Sequence, residues 1–292
     1  MSHIGVLPNA SAGAGAIEVQ LGAAEFADIA AIMQHEARIH LTEVKRTLVH
    51  SRLSRRLRAH GLASFREYIG FVQRDAEERR AMVIALTTNH THFFREAHHF
   101  DHLREVLMPR LKDRARNHSV RIWSAGCSSG EEVYTIAMCL LGRGGGDASW
   151  LKNADLRLLA TDISTPVVEA AQRGVYPAAA RESIPEPYRS AWLRPHADGF
   201  EMAPEARAMV VARTLNLFEE WPMRQLYDAI FCRNVMIYFD ETAKAELEAR
   251  LTERLAPGGF LYIGHSERLI APAQHGMRAA GQTIYQKNGA TP

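Results

Sequence analysis

From Ser124 to Glu132 the chain reads Ser-Ala-Gly-Cys-Ser-Ser-Gly-Glu-Glu, between a short apolar run and a helical pattern. Gly126 and Gly130 let the backbone approach a ligand closely. A dinucleotide-binding turn here would set a pyrophosphate on the helix N-terminus and carry a G-x-G-x-x-G pattern. That pattern is absent, and Glu131 and Glu132 fill the first helical turn instead. Two carboxylates repel phosphate but suit a ligand bearing an ammonium or sulfonium. This points away from NAD and ATP and towards S-adenosylmethionine. A tight turn whose acids complement the helix dipole is the alternative, and the turn alone does not separate the two.

Asp162 ends the next apolar run. An acid at that strand end can accept hydrogen bonds from both ribose hydroxyls; a helix cap or surface carboxylate is the plainer reading. It usually follows the glycine turn by about twenty residues, and the glycine-rich stretch after Leu141 explains the longer spacing. A third run, Phe231-Cys232-Arg233-Asn234-Val235-Met236-Ile237-Tyr238-Phe239-Asp240, opens Arg233, Asn234 and Tyr238 into the same crevice. It lacks the Asn/Asp-Pro-Pro-aromatic run with which amino-directed nucleic-acid methyltransferases grip a flipped base, so no nucleic-acid partner is expected. A fourth, Thr87 to Glu96, lies where the chain changes character, and such junctions favour ligands. His98 and His102 stand four apart, with His90, His92 and His99 nearby, but no H-E-x-x-H occurs and no metal is expected. Cys127 reads as a small packing residue.

The elements that must position these residues fall into two parts. Residues 1–22 are rich in Gly, Ala and Ser and read as a mobile tail. Residues 23–86 carry helical periodicity: Phe26, Ile29, Met33 and Ala37, then a run from Thr42 to Gly61, then Ser64–Gln73 and Ala76–Leu86. Residues 87–292 alternate strand and helix: strands at Val120–Ser124, Leu156–Ile163, Tyr227–Cys232 and Gly259–Gly264, helices between them. That alternation implies a parallel sheet covered on both faces, binding ligands at the strand carboxyl ends. Gly142–Asp155 reads as a long polar loop, and 175–212 as an inserted β-subdomain. No run of eighteen apolar residues and no signal peptide occur, so membrane insertion is not expected. Three cysteines without disulfide or zinc spacing fit a cytoplasmic location.

The segments TTNHTHFFREAHHF, IWSAGCSSGEEVYTIA, ATDIS, LNLF, YDAIFCRNVMIYFD and LAPGGFLYIGHSE occur in the order of the chemotaxis receptor methyltransferase (CheR) family. The chain resembles that family from about Glu25 to its C-terminus. The resemblance implies an α/β fold: a Rossmann-like S-adenosylmethionine-dependent methyltransferase sheet, an N-terminal all-helical domain and a small inserted β-subdomain. It implies esterification of glutamates on the cytoplasmic coiled coil of a methyl-accepting chemotaxis receptor, with S-adenosylhomocysteine as product. It implies cofactor contacts from Asn89, Thr91, Arg95 and Gly126. Glu132 serves as the acid of the turn, with Glu131 its alternative, and Asp162 as the ribose acid. Asn216 and Leu217 border the adenine, and Asn234 and Val235 lie beneath the methionine end. Arg95, Arg233 and Tyr238 face the reacting glutamate. The chain departs from the family at Cys127, where small residues also occur, and in its glycine loop.

The chemistry suits these residues. A glutamate of ordinary pKa, about 4.3, is ionised at neutral pH and needs no general base. The site must hold one carboxylate oxygen roughly 3 Å from the methyl, in line with the departing sulfur. An over-tight salt bridge would stabilise the ground state, so one arginine is expected to orient substrate and the other to serve mainly the cofactor. Seven basic residues and one acid lie between Arg38 and His60. At about 100° per residue Lys45, Arg52 and Arg56 share a helix face. They are the expected docking row for an acidic receptor, with a solvated face or a contact back to the sheet domain as alternatives.

Overall fold

The computed structural model describes residues 19–144 and 146–289. Of the expected tail, 1–18 lie outside the described residues. Val19 and Leu21 instead pack on the helical core, and the Val19 carbonyl meets His50 Nε2 at 2.7 Å.

The helical domain comprises α1 (Ala23–Ala37), α2 (Arg46–Ala59), α3 (Phe65–Arg74) and α4 (Ala76–Leu86). Ser64 caps α3 by accepting from Glu67 N, and Asp75 caps α4 by accepting from Glu77 N and Glu78 N. The apolar stripes read from the sequence converge: Ile29 and Met33 of α1 pack in one core with Val49 and Leu53 of α2, Tyr68 of α3 and Met82 of α4. Glu78 is buried in this packing and accepts from Arg56, from Tyr68 Oη at 2.6 Å and from His60 Nε2 at 2.7 Å. Burial opposes its charge, but Arg56 and Tyr68 outweigh it and hold the carboxyl below its ordinary pKa.

Two residues of the expected docking row also make contacts within the chain. Arg56 is a structural ion-pair partner of Glu78. Arg52 donates to the carbonyl of Thr87 at 2.6 Å and to Thr88 Oγ1 at 3.1 Å, tying α2 to the domain junction. Only Lys45 of the three borders the cavity described below.

The second domain opens with α5 (His98–His102), which runs through one π-helical turn, Leu103–Leu107, into α6 (Met108–Arg114). Then follow β1 (Val120–Ala125), α7 (Glu131–Leu141), β2 (Leu156–Asp162), α8 (Thr165–Arg173), β3 (Val175–Tyr176), α9 (Glu186–Trp192), β4 (Leu193–His196), β5 (Gly199–Met202) and α10 (Pro204–Met209). The chain closes with β6 (Val210–Thr214), β7 (Tyr227–Cys232), α11 (Glu241–Arg254), β8 (Leu255–Ile263), β9 (Met277–Gly281) and β10 (Ile284–Lys287). The main sheet has the order β6-β2-β1-β7-β8-β10-β9, parallel from β6 to β8, with β10 antiparallel to both neighbours. All six residues of β7 are buried, as a central parallel strand requires. Strand order reverses at β1, between β2 and β7, and the crevice opens there.

The insertion is smaller than 175–212. Strands β3, β5 and β4 form a separate antiparallel sheet, but β6 already pairs with β2 from Val210 onward. The stretch Gly142–Asp155 also holds a 3-10 turn, Asp147–Leu151. Short contacts stitch the two domains together: a β-bridge between Ile39 and Phe239, His40 N to the Tyr238 carbonyl at 2.8 Å, and Gln34 to Asp240 at 2.8 Å. Among the described residues no helix is long and apolar enough to cross a membrane.

Candidate active site

A cavity lies at the β1 switch point and extends under the helical domain. It is lined by Asn89, Thr91, Arg95, Gly126, Glu132, Asp162, Asn216, Leu217, Arg233, Asn234, Val235 and Tyr238. Every residue expected to contact cofactor or substrate chemistry is thus brought together. Glu131 is not in the lining; it accepts from Ser129 Oγ at 2.7 Å.

The turn after β1 explains its glycines. Gly126 has φ of 80°, and a Cβ there would overlap Val235 Cγ2 from the opposite loop. Gly126 N and Cys127 N both donate to the Thr161 carbonyl, binding the turn to β2. Cys127 is buried, and burial pushes its thiol well above the ordinary range; burial does the same to Cys139, to about 12, and to Cys232.

Asp162 is anchored at both oxygens, accepting from Ser128 N at 2.9 Å and Ser164 N at 3.0 Å. Burial raises its pKa, and these backbone donors oppose the rise. Glu132 accepts from Ser124 Oγ at 2.7 Å and from Arg233 at 2.8 Å.

Arg233 lines the cavity but is enclosed by acids. Its side chain is 2% exposed, and it pairs with Glu132 and, at 3.4 Å, with Glu96, while donating to the Arg95 carbonyl. Its charge is matched by two carboxylates, Glu132 on one side and Glu96 on the other. Arg95 donates to the His90 carbonyl at 2.8 Å, and its nearest carboxylate contact is 4.0 Å from Glu96. Its remaining donors are left for a ligand. Tyr238 Oη reaches the Thr88 carbonyl at 3.3 Å, and Lys45 Nζ stands 5.4 Å from the centre of its ring.

Two acids that matter here escaped the sequence reading. Glu267 is buried and accepts from Gly264 N at 2.5 Å, Asn234 N at 2.9 Å and Ile237 N at 3.2 Å. It fixes the loop on which Asn234 adopts φ of 58°. Glu96 accepts from Asn234 Nδ2 at 3.4 Å and pairs with His265 Nδ1 at 3.0 Å. Burial raises its pKa, but Arg233 and His265 prevail and hold it at about 2. Both acids stand in segments that carry the family resemblance, the only signal for them. The helical domain adds an apolar wall of Ala37, Ile39 and Leu41, likewise unforeseen.

The residues fit S-adenosylmethionine. Glu132 suits an ammonium, Asp162 suits vicinal hydroxyls, and Ile163, Leu217 and Phe218 supply apolar surface for a base. A phosphate would meet both carboxylates.

Comparison with known proteins agrees. The family model for the CheR methyltransferase SAM-binding domain matches residues 89–285, and that for the CheR all-alpha domain matches residues 24–87. Chemotaxis protein methyltransferase 2 of Pseudomonas aeruginosa is 42% identical over 252 residues, covering 85% of this chain and 87% of that protein. The chemotaxis protein methyltransferase of Escherichia coli is 37% identical over 275 residues, covering 91% of each. That of Borreliella burgdorferi is 37% identical over 256 residues, covering 84% of this chain and 88% of that protein. With both domains matched and the cofactor-binding set converging on one cavity, the chain belongs to the CheR family of S-adenosylmethionine-dependent chemotaxis methyltransferases.

Proposed function

We propose that this methyltransferase esterifies glutamate side chains on the cytoplasmic coiled coil of a methyl-accepting chemotaxis receptor, and that it works in the cytoplasm. The observation that carries the reading is the unequal state of the two arginines. Arg233 is neutralised by Glu96 and Glu132, whereas Arg95 keeps donors free at the cavity. A glutamate carboxylate entering beside Tyr238 therefore meets one orienting guanidinium, not two. S-adenosylmethionine, when bound, supplies an activated methyl on its sulfonium. Glu132 and Asp162 hold the cofactor ends, and Arg95 and Tyr238 orient the acceptor oxygen. No residue has to remove a proton, because the acceptor is already ionised.

The receptor contact moves from Arg52 and Arg56 to the neighbouring exposed residues. Val44 is 93% exposed, Leu48 and Lys45 border the cavity, and Arg55 follows Leu48 by seven positions on the same face of α2. An acidic coiled coil with an apolar seam would complement this mixed surface.

Incubation with radiolabelled cofactor and receptor-bearing membranes tests the proposal. Label should appear on a receptor and leave as methanol in mild alkali, since esters hydrolyse there and N-methyl groups do not. Alkali-resistant label would rule out the glutamate ester.

A further inference from the structure

Glu96, His98 and His99 each offer a ligand atom, and these atoms lie within 4.8 Å of one another. The two histidines are outside the cavity lining, next to the turn between β9 and β10. Hydrogen bonding in that turn fixes which ring nitrogens carry protons. The Thr283 hydroxyl donates to the Gln282 carbonyl at 2.7 Å, so its oxygen is left to accept from His99 Nε2 at 3.0 Å. With the hydroxyl so engaged, the tautomer that satisfies this contact carries its proton on Nε2 and leaves a lone pair on Nδ1. That nitrogen is buried without a hydrogen-bond partner and faces Glu96 Oε2 at 3.6 Å. Glu96 Oε2 also lacks a hydrogen bond and has only the ion-pair contact to Arg233 at 3.4 Å. His98 follows the same logic. Its Nε2 lies 3.2 Å from the Gln282 carbonyl, which can only accept, so Nδ1 is again the acceptor.

Glu96 Oε2 and His99 Nδ1 thus face each other across a gap that holds no donor, with the Arg233 guanidinium, its buried Nε also unpartnered, on the other side of the carboxylate. Donors each about 2.1 Å from a tetrahedral zinc stand about 3.4 Å apart, close to the gap between Glu96 and His99. Ligating histidines characteristically give their second ring N–H to a carbonyl or similar acceptor, as both do here. His265 Nδ1, 3.0 Å from Glu96 Oε1, orients the carboxylate from its other oxygen.

We propose that Glu96, His98 and His99 form a binding site for Zn²⁺ or a chemically similar divalent ion, and that filling it weakens cofactor binding. The ion takes no part in methyl transfer. Its effect runs through Arg233, which divides its charge between Glu96 and Glu132. A dication on Glu96 Oε2 withdraws that carboxylate and repels Arg233 towards Glu132, which then accepts less well from the cofactor ammonium. Binding linkage makes the effect reciprocal.

The test is calorimetric titration of the full chain with Zn²⁺ in a non-coordinating buffer, with Co²⁺ as a visible-spectrum probe of geometry. Wild type should bind one tight equivalent, with Co²⁺ bands of tetrahedral intensity. His98→Ala and His99→Gln should each weaken binding at least tenfold and abolish those bands. S-adenosylhomocysteine should bind several-fold more weakly to the zinc-loaded chain, and that difference should vanish in His98→Ala. His98 is only partly buried, so its variant carries the test if His99→Gln fails to fold. Unchanged zinc affinity in His98→Ala, or octahedral Co²⁺ alone, overturns the site. Unchanged S-adenosylhomocysteine affinity in the zinc-loaded wild type overturns the coupling. Receptor methylation is not read, so failure here leaves the proposed function intact.

Discussion

At the scale of single residues, a site for a cationic cofactor is built by fixing acids in place inside the protein. Asp162 and Glu132 face the cavity but are each tied down elsewhere, Asp162 by backbone amides and Glu132 by Ser124 and Arg233. Position is therefore set before a ligand arrives, which lowers the ordering cost of binding. Glu132→Gln keeps the shape and removes the charge. It should weaken S-adenosylhomocysteine binding about tenfold or more, given roughly 1.5–3 kcal/mol for a hydrogen bond to a charged group. Calorimetry on the folded variant decides: wild-type affinity would mean that the carboxylate does not touch the ligand. Asp162 is a less clean probe, because its removal also frees the Ser128 and Ser164 amides that shape the turn. The roles of Glu96 and Glu267 were not legible in the sequence for a physical reason. Arg233 lies 137 positions beyond Glu96, and Asn234 lies 33 before Glu267 (233 − 96 and 267 − 234). Spacing rules describe one helix or one turn and do not reach across a fold.

At the scale of elements, α2 has two unlike sides. One carries Arg56 into the ion pair with Glu78; the other shows Leu48, Arg55 and Arg58 to solvent. Arg56→Ala should destabilise the chain by about 2 kcal/mol in denaturant unfolding. That is below the roughly 3–5 kcal/mol of a broken buried pair, because Arg56 is one-third exposed and Tyr68 and His60 still serve Glu78. Arg55→Glu should leave that stability unchanged and slow receptor methylation several-fold, more so at low salt. An Arg55→Glu enzyme with wild-type receptor kinetics would place the receptor elsewhere. Glu78 also sets a pH dependence. Its folded pKa is depressed, so its stabilisation is complete above the ordinary glutamate pKa of about 4.3 and is lost as pH falls through the lower folded value. Glu78→Gln should flatten that acid limb of the stability profile. Where elements were misjudged, the pattern was weak. In β6 only Ala212 is buried, because an edge strand has little alternation to read, and the insertion therefore looked longer than it is. Buried β7, apolar except for Asp228, matched residue for residue. The pairing of Arg56 with Glu78 was not legible because periodicity groups side chains by direction without telling whether another helix waits there.

At the scale of the whole molecule, the cavity belongs to neither domain alone. Ala37, Ile39 and Leu41 close it from the helical side, and Asn216 of the sheet domain donates to the Glu36 carbonyl at the end of α1. A ligand seated between them should stabilise both as a unit. At a hundred times its dissociation constant S-adenosylhomocysteine adds about 2.7 kcal/mol, and calorimetric unfolding should show one transition moved upward by a few degrees. Two transitions, with only one of them shifted, would mean that the helical domain makes no contact with the ligand. The three cysteines have a practical bearing on such work. Each is sealed in the interior with its sulfur kept protonated, so the native chain offers maleimides almost nothing to react with. A cysteine introduced at exposed Val44 would then stand alone as an attachment point, and a dye fixed there would test in real time whether a receptor arrives at this face, without any native thiol first having to be removed.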